Sequence, residues 1–125
     1  PNIAEAEALT GLSISTQDDM ERAALILFDL GPGYVLVTGG HLAGNQAVDI
    51  LYDGIGIHPF IADKLDAKNN HGTGCTFAAA LTAYYAKGFE IGESVAKAKY
   101  FVHNALMFGL DIGKGPGPVN PFWNL

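Results

Sequence analysis

The sequence predicts an α/β layered domain. Three observations carry this: two helical stretches open the chain, three short runs rich in β-branched and aromatic residues fill its middle, and two more helical stretches precede a Gly/Pro-rich tail. No internal repeat or low-complexity block interrupts the order α-α-β-ββ-α-α.

Residues 3–9, "IAEAEAL", are good helix formers, and Gly11 just beyond them is a left-handed stop. Ser15 or Thr16 can cap a second helix through residue 30, with Asp18 and Asp19 in its first turn and Gly31 after it. Met20, Ala23, Ala24, Leu27 and Phe28 recur there at helical spacing, opposite Asp19, Glu21 and Arg22. Pro32-Gly33 breaks the chain. "YVLVT", residues 34–38, then reads as a strand buried on both faces, and Gly39-Gly40 ends it. Runs at 47–52 and 55–61 flank Asp53-Gly54, a dipeptide suited to tight turns, and predict a hairpin. The loop "ADKLDAKNNHGTG" leads to a helix over 75–87 stopped by Gly88, and 93–110 is the last helix. The tail is expected to be irregular.

Three strands are few for a doubly wound sheet, and the first two helices need more surface than three strands provide. The chain also opens Pro1-Asn2-Ile3, without methionine, and enters a helix at once. Both features predict a fragment of a larger domain.

With 125 residues, 49% of them hydrophobic, the chain can bury one sizeable core. Seven Lys and Arg against thirteen Asp and Glu give a net charge of -6, with no basic cluster to neutralise phosphates in a row. Nucleic acid and anionic membranes are therefore not expected as partners. No apolar stretch approaches the roughly 20 residues of a membrane helix, and a cytoplasmic location is the default expectation. The single cysteine, Cys75, can form neither an internal disulfide nor a multi-cysteine metal site.

Its surroundings are informative. In "HGTGC", glycines let the backbone turn tightly against a ligand, while the following helix points unpaired N–H groups and its positive dipole end at the loop. Such a turn binds anions or merely closes a fold. Asn2 and Glu5 lie one helical turn apart, which suits a helix cap. Val102 and Ala105 have the spacing of a core stripe, and His41, His58 and His103 show no ligand-like spacing.

The stretches "NNHGTGCTFAAALTAYYAKG" and "AKYFVHNAL" resemble the hydroxymethylpyrimidine/phosphomethylpyrimidine kinases of thiamin biosynthesis, within the ribokinase-like superfamily. "PNIAEAEALTG" with its Asn-x-x-Glu, "VLVTGGH", "DILYDG" and "GPGPVNPFW" agree in the same order, so the similarity runs through essentially all residues. The family's kinases are about twice this long. The resemblance therefore implies the carboxy-terminal half of one kinase domain, with the amino-terminal half absent. It implies a three-layer α/β/α sandwich with a larger, mostly parallel sheet.

It further implies an ATP- and Mg²⁺-dependent kinase of hydroxymethylpyrimidine and its monophosphate, homodimeric at full length, with the isolated chain inactive. Gly72, Thr73, Gly74 and Cys75 would form the anion hole, Cys75 standing where sugar-phosphorylating relatives carry aspartate. That thiol would accept the hydroxymethyl proton or position the hydroxyl. Asn2 and Glu5 would help hold Mg²⁺ through water. Thr38 stands where many pyrimidine kinases have a lysine aimed at the phosphates, Gly40 would cover the nucleotide, and Val102 and Ala105 would touch the adenine. His71 would donate to a phosphate or bond a backbone carbonyl. The rival readings are a pyridoxine or pyridoxal kinase, a non-catalytic nucleotide-binding or pairing fragment, and a cysteine hydrolase, for which no His and acid arrangement is identifiable.

Overall fold

A computed structural model describes the whole chain, Pro1–Leu125. It divides into two compact units, Pro1–Lys64 and Leu65–Leu125. The elements follow the expected order: α1 (Ile3–Thr10), α2 (Gln17–Phe28), β1 (Val35–Thr38), β2 (Gln46–Tyr52), β3 (Ile57–Asp63), α3 (Thr73–Ala86) and α4 (Ile91–Met107).

In the first unit, both helices start on reciprocal caps. Asn2 Oδ1 accepts from the Glu5 N–H at 2.9 Å while Glu5 Oε2 accepts from the Asn2 N–H at 2.8 Å, and Thr16 and Asp19 repeat the device for α2. Gly11, at φ 73°, ends α1 in the left-handed conformation. α2 stops at Phe28, two residues early, because the N–H groups of Leu30 and Gly31 turn back to the Leu27 and Phe28 carbonyls in tighter i to i+3 bonds. Met20, Ala23, Ala24 and Leu27 are buried as their spacing predicts, and they share a core with Ile3, Ala6, Val35, Val37 and Ile50. Phe28 packs edge-on against Tyr52, ring centroids 4.9 Å apart.

The sheet order is β1-β2-β3, and both pairings are antiparallel. The β2–β3 pair is the hairpin that the sequence predicts, and the parallel strands that the resemblance implies for a larger sheet are not among these three. Seven residues, 39–45, join β1 to β2, too few for the dozen or more that a parallel crossover needs, and a tight turn joins β2 to β3. β1 alternates instead of being buried on both faces: Val35 and Val37 are buried, Leu36 and Thr38 half-buried. Parallel contact is confined to single bridges, one of them between Asn2 and Thr38.

In the second unit, α3 and α4 pack on each other, with Ser94, Val95, Ala98, Val102 and Ala105 buried on α4. α3 begins at Thr73, two residues before the expected start, because Gly72 takes the left-handed conformation at φ 86° and its carbonyl accepts the Thr76 N–H. α4 ends at Met107, not 110, since the Leu110 N–H is drawn to the Pro118 carbonyl. That bond and one from the Asn120 N–H to the Ala105 carbonyl tie down a tail expected to be irregular.

Candidate active site

The predicted residues fall into one group in each unit. In the second, the loop before α3 is built as an anion site requires. Thr73 is fixed at its start: its N–H and hydroxyl both donate to the Asn70 carbonyl, at 3.3 and 2.6 Å. No side chain caps the helix, and the N–H groups of Gly72, Gly74 and Cys75 have no acceptor within the chain. Gly72 leads the helix in the left-handed conformation, and the dipole at this helix start favours negative charge. Cys75, the third helical residue, is exposed at the same end and opens onto a groove of about 490 Å³ lined by Thr76, Ala80, Tyr84, Phe101 and Pro121.

His71 holds this loop through its backbone. Its N–H donates to the Gly117 carbonyl at 3.1 Å and its carbonyl accepts from the Val119 N–H at 3.1 Å, leaving the side chain exposed. Asn69 was not singled out from sequence, yet it anchors the entry to the loop. Its Oδ1 accepts from the Gly117 N–H at 2.9 Å, and a Cβ on Gly109 would come within 2.8 Å of its own Cβ. The available signal was two glycines, Gly109 near the end of the expected last helix and Gly117 in the tail expected to be irregular. Val102 and Ala105, 8% and 0% exposed, lie in the packed interior of this unit, as their core spacing predicts.

In the first unit, the end of β1 meets the start of α1. Thr38 donates its N–H to the Pro1 carbonyl at 2.9 Å and pairs with Asn2, so Asn2, Glu5 and Thr38 share one end of the unit. The reciprocal cap described above engages Asn2 Oδ1 and Glu5 Oε2 and leaves Glu5 Oε1 open. No cluster of three His, Cys, Asp or Glu side chains is placed to hold a metal. One carboxylate beside a carbonyl side chain still suits Mg²⁺, which keeps several waters and takes few protein ligands. After Thr38 the two glycines differ. Gly39 is buried, donates its N–H to the buried Asp49 carboxylate at 3.1 Å, and leaves no room for a Cβ, which would overlap the Val48 carbonyl. Around Gly40 the space is open.

A short α/β chain with an uncapped, glycine-led helix start beside an exposed thiol has the form of part of a small-molecule kinase. Solved structures agree. The fold is similar to pyridoxal kinase from Staphylococcus aureus in complex with AMP-PCP, at a TM-score of 0.94 and 40% identity, covering 99% of this chain and 46% of that one. It is also similar to phosphomethylpyrimidine kinase from Clostridium difficile, at a TM-score of 0.68 and 39% identity, over 84% and 41%.

Residues 1–120 match the family model described as phosphomethylpyrimidine kinase, and the chain belongs to that family. It is 45% identical to the hydroxymethylpyrimidine/phosphomethylpyrimidine kinase of Bacillus subtilis over 123 residues, 98% of this chain and 45% of that protein. It is 47% identical over 120 residues to the thiamine biosynthesis bifunctional protein ThiED of Geobacter sulfurreducens, 96% of this chain and 24% of that protein. The chain thus spans about half the length of the single-function relatives it matches, and less of the bifunctional one.

Proposed function

We propose that this chain is the phosphate-handling, carboxy-terminal half of a cytoplasmic kinase domain of the ribokinase-like three-layer kind. That kinase transfers the γ-phosphoryl group of ATP to hydroxymethylpyrimidine and its monophosphate. The observation that carries the reading is the α3 start, where the Gly72, Gly74 and Cys75 N–H groups have no acceptors beside the exposed Cys75 thiol. Donors held this way stabilise the charge on the transferring group with no reorganisation at the moment of reaction. As the substrate oxygen bonds to the γ-phosphorus and the bond to the ADP oxygen breaks, the hydroxymethyl proton passes to Cys75 in its thiolate form, which leaves the neutral thiol.

Asn2 and Glu5 would hold Mg²⁺ through water, and the ion when bound would neutralise phosphate charge. The Thr38 hydroxyl, which donates to the Pro1 carbonyl at 3.4 Å, would turn to a phosphate, Gly40 leaves space for the nucleotide to approach, and His71 has its exposed ring free of other ties. Adenine contact would fall to Val102 alone, 8% exposed, because Ala105 at 0% has no free surface.

In this reading the pyrimidine ring is recognised by the amino-terminal half, which also completes the homodimer. The test is ATP-dependent phosphorylation of hydroxymethylpyrimidine by the 125-residue chain, alone and combined with the amino-terminal half of a relative. Product is expected only from the combination, and robust turnover by the chain alone would overturn the reading. A pyridoxal kinase is the second reading, supported by the pyridoxal kinase from Staphylococcus aureus in complex with AMP-PCP and pyridoxal, at a TM-score of 0.92 and 40% identity. Relative kcat/KM on the pyrimidine and on pyridoxal separates the two.

A further inference from the structure

The first unit carries only two basic side chains, Arg22 and Lys64, in a chain of net charge -6. Arg22 is exposed on α2, whereas Lys64 is half-buried where β3 ends. Its N–H donates to the Asn45 carbonyl at 2.8 Å, which extends the β2–β3 pairing by one residue, and its Nζ donates to the Leu42 carbonyl. Leu42 in turn donates its N–H to the Gly39 carbonyl at 3.0 Å. The ammonium is therefore fixed against the turn that follows Thr38 and contains Gly40. An ammonium has three donors, and one goes to Leu42. The ion pairs of the chain are His58–Asp53, Lys68–Asp111 and Lys97–Glu93, so no carboxylate neutralises Lys64. A half-buried cation with spare donors and no counter-ion, in an acidic protein, calls for an anionic ligand.

We propose that Lys64 contacts the nucleotide phosphates over the residue 39–45 turn, supplying the positive charge that the Thr38 hydroxyl lacks. This rests on the kinase reading above and extends it to a residue outside the glycine loop. The strap to Leu42 holds the ammonium at the turn and leaves its two remaining donors for the ligand.

Lys64→Met, Lys64→Arg and wild type are compared in the combined two-half protein, by titration calorimetry with adenosine, ADP and ATP and by the KM for ATP and for the pyrimidine. Loss of one charge-assisted contact is expected to weaken ADP and ATP binding in Lys64→Met about tenfold or more. Adenosine binding and the KM for the pyrimidine should be unchanged, and Lys64→Arg should recover most of the loss. Equal weakening of adenosine, ADP and ATP would overturn the proposal and leave Lys64 as a loop strap, as would unchanged ATP binding in Lys64→Met. Absence of ATP-dependent turnover in the wild-type combination overturns the kinase reading and this one together, whereas wild-type turnover with an insensitive Lys64→Met overturns this one alone.

Discussion

Cys75 sits three residues into α3, beside backbone donors that its own helix leaves open. If its sulfur takes the substrate proton, Cys75→Ala should lower kcat by about 100-fold or more while leaving ATP affinity unchanged, because general-base contributions are of this size. A kcat within a factor of a few of wild type would assign the thiol a positioning role. Asp53 makes a prediction of a different kind. Its carboxyl is held down from 3.8 to about 2, chiefly by the Gly56 N–H, then the Ile55 N–H, then His58. Since the folded form releases this proton more readily than the unfolded chain, the stabilisation is full above the unfolded value and is lost as pH falls from 3.8 toward 2. Acid unfolding of wild type and Asp53→Asn should therefore converge across that window. A gap that stays constant with pH would contradict the assignment.

Among the elements, the turns between them carry the most specific constraints. Gly39→Ala would drive a Cβ into the Val48 carbonyl and within 2.8 Å of Met20 Cε, so thermal unfolding should show a loss of about 1–3 kcal/mol or more. Gly40→Ala, with open space around it, should leave stability unchanged and disturb only nucleotide binding. Asn69→Ala removes the acceptor for the buried Gly117 N–H, at a cost of about 1–3 kcal/mol measured by denaturant melts. It should also loosen the loop that presents Gly72 to Cys75.

The elements were largely legible because local chemistry sets them. Thr16 and Asp19 cap α2, Gly11 ends α1, and Asp53-Gly54 turns the hairpin, each through neighbours a few residues away. Element ends were less legible where a distant partner intervenes, as Pro118 does at the end of α4. The β2–β3 hairpin was legible from Asp53-Gly54, whereas the pairing of β1 with β2 depends on the length of the 39–45 connection and not on the composition of the strands. In the candidate site the glycine loop and thiol stood out, since their chemistry is local. Asn69 and Lys64 did not, because each acts on backbone at sequence separations of 48 and 22 residues.

For the whole molecule, α3 has no buried residue although most of its side chains are apolar, and Tyr85 and Ala79 are among those left exposed. An apolar helix of this length is ordinarily covered by further structure. This agrees with a chain that spans about half of its single-function relatives, and the amino-terminal half proposed above would supply the cover. The account's central claim joins that proposed half to the α3 start. It is tested most directly by ATP-dependent phosphorylation of hydroxymethylpyrimidine by the two halves together, with wild-type and Cys75→Ala chains side by side. The account predicts product from the wild-type combination and a loss of about 100-fold or more with Cys75→Ala. No product from the wild-type combination, or turnover indifferent to both the added half and Cys75, would contradict it.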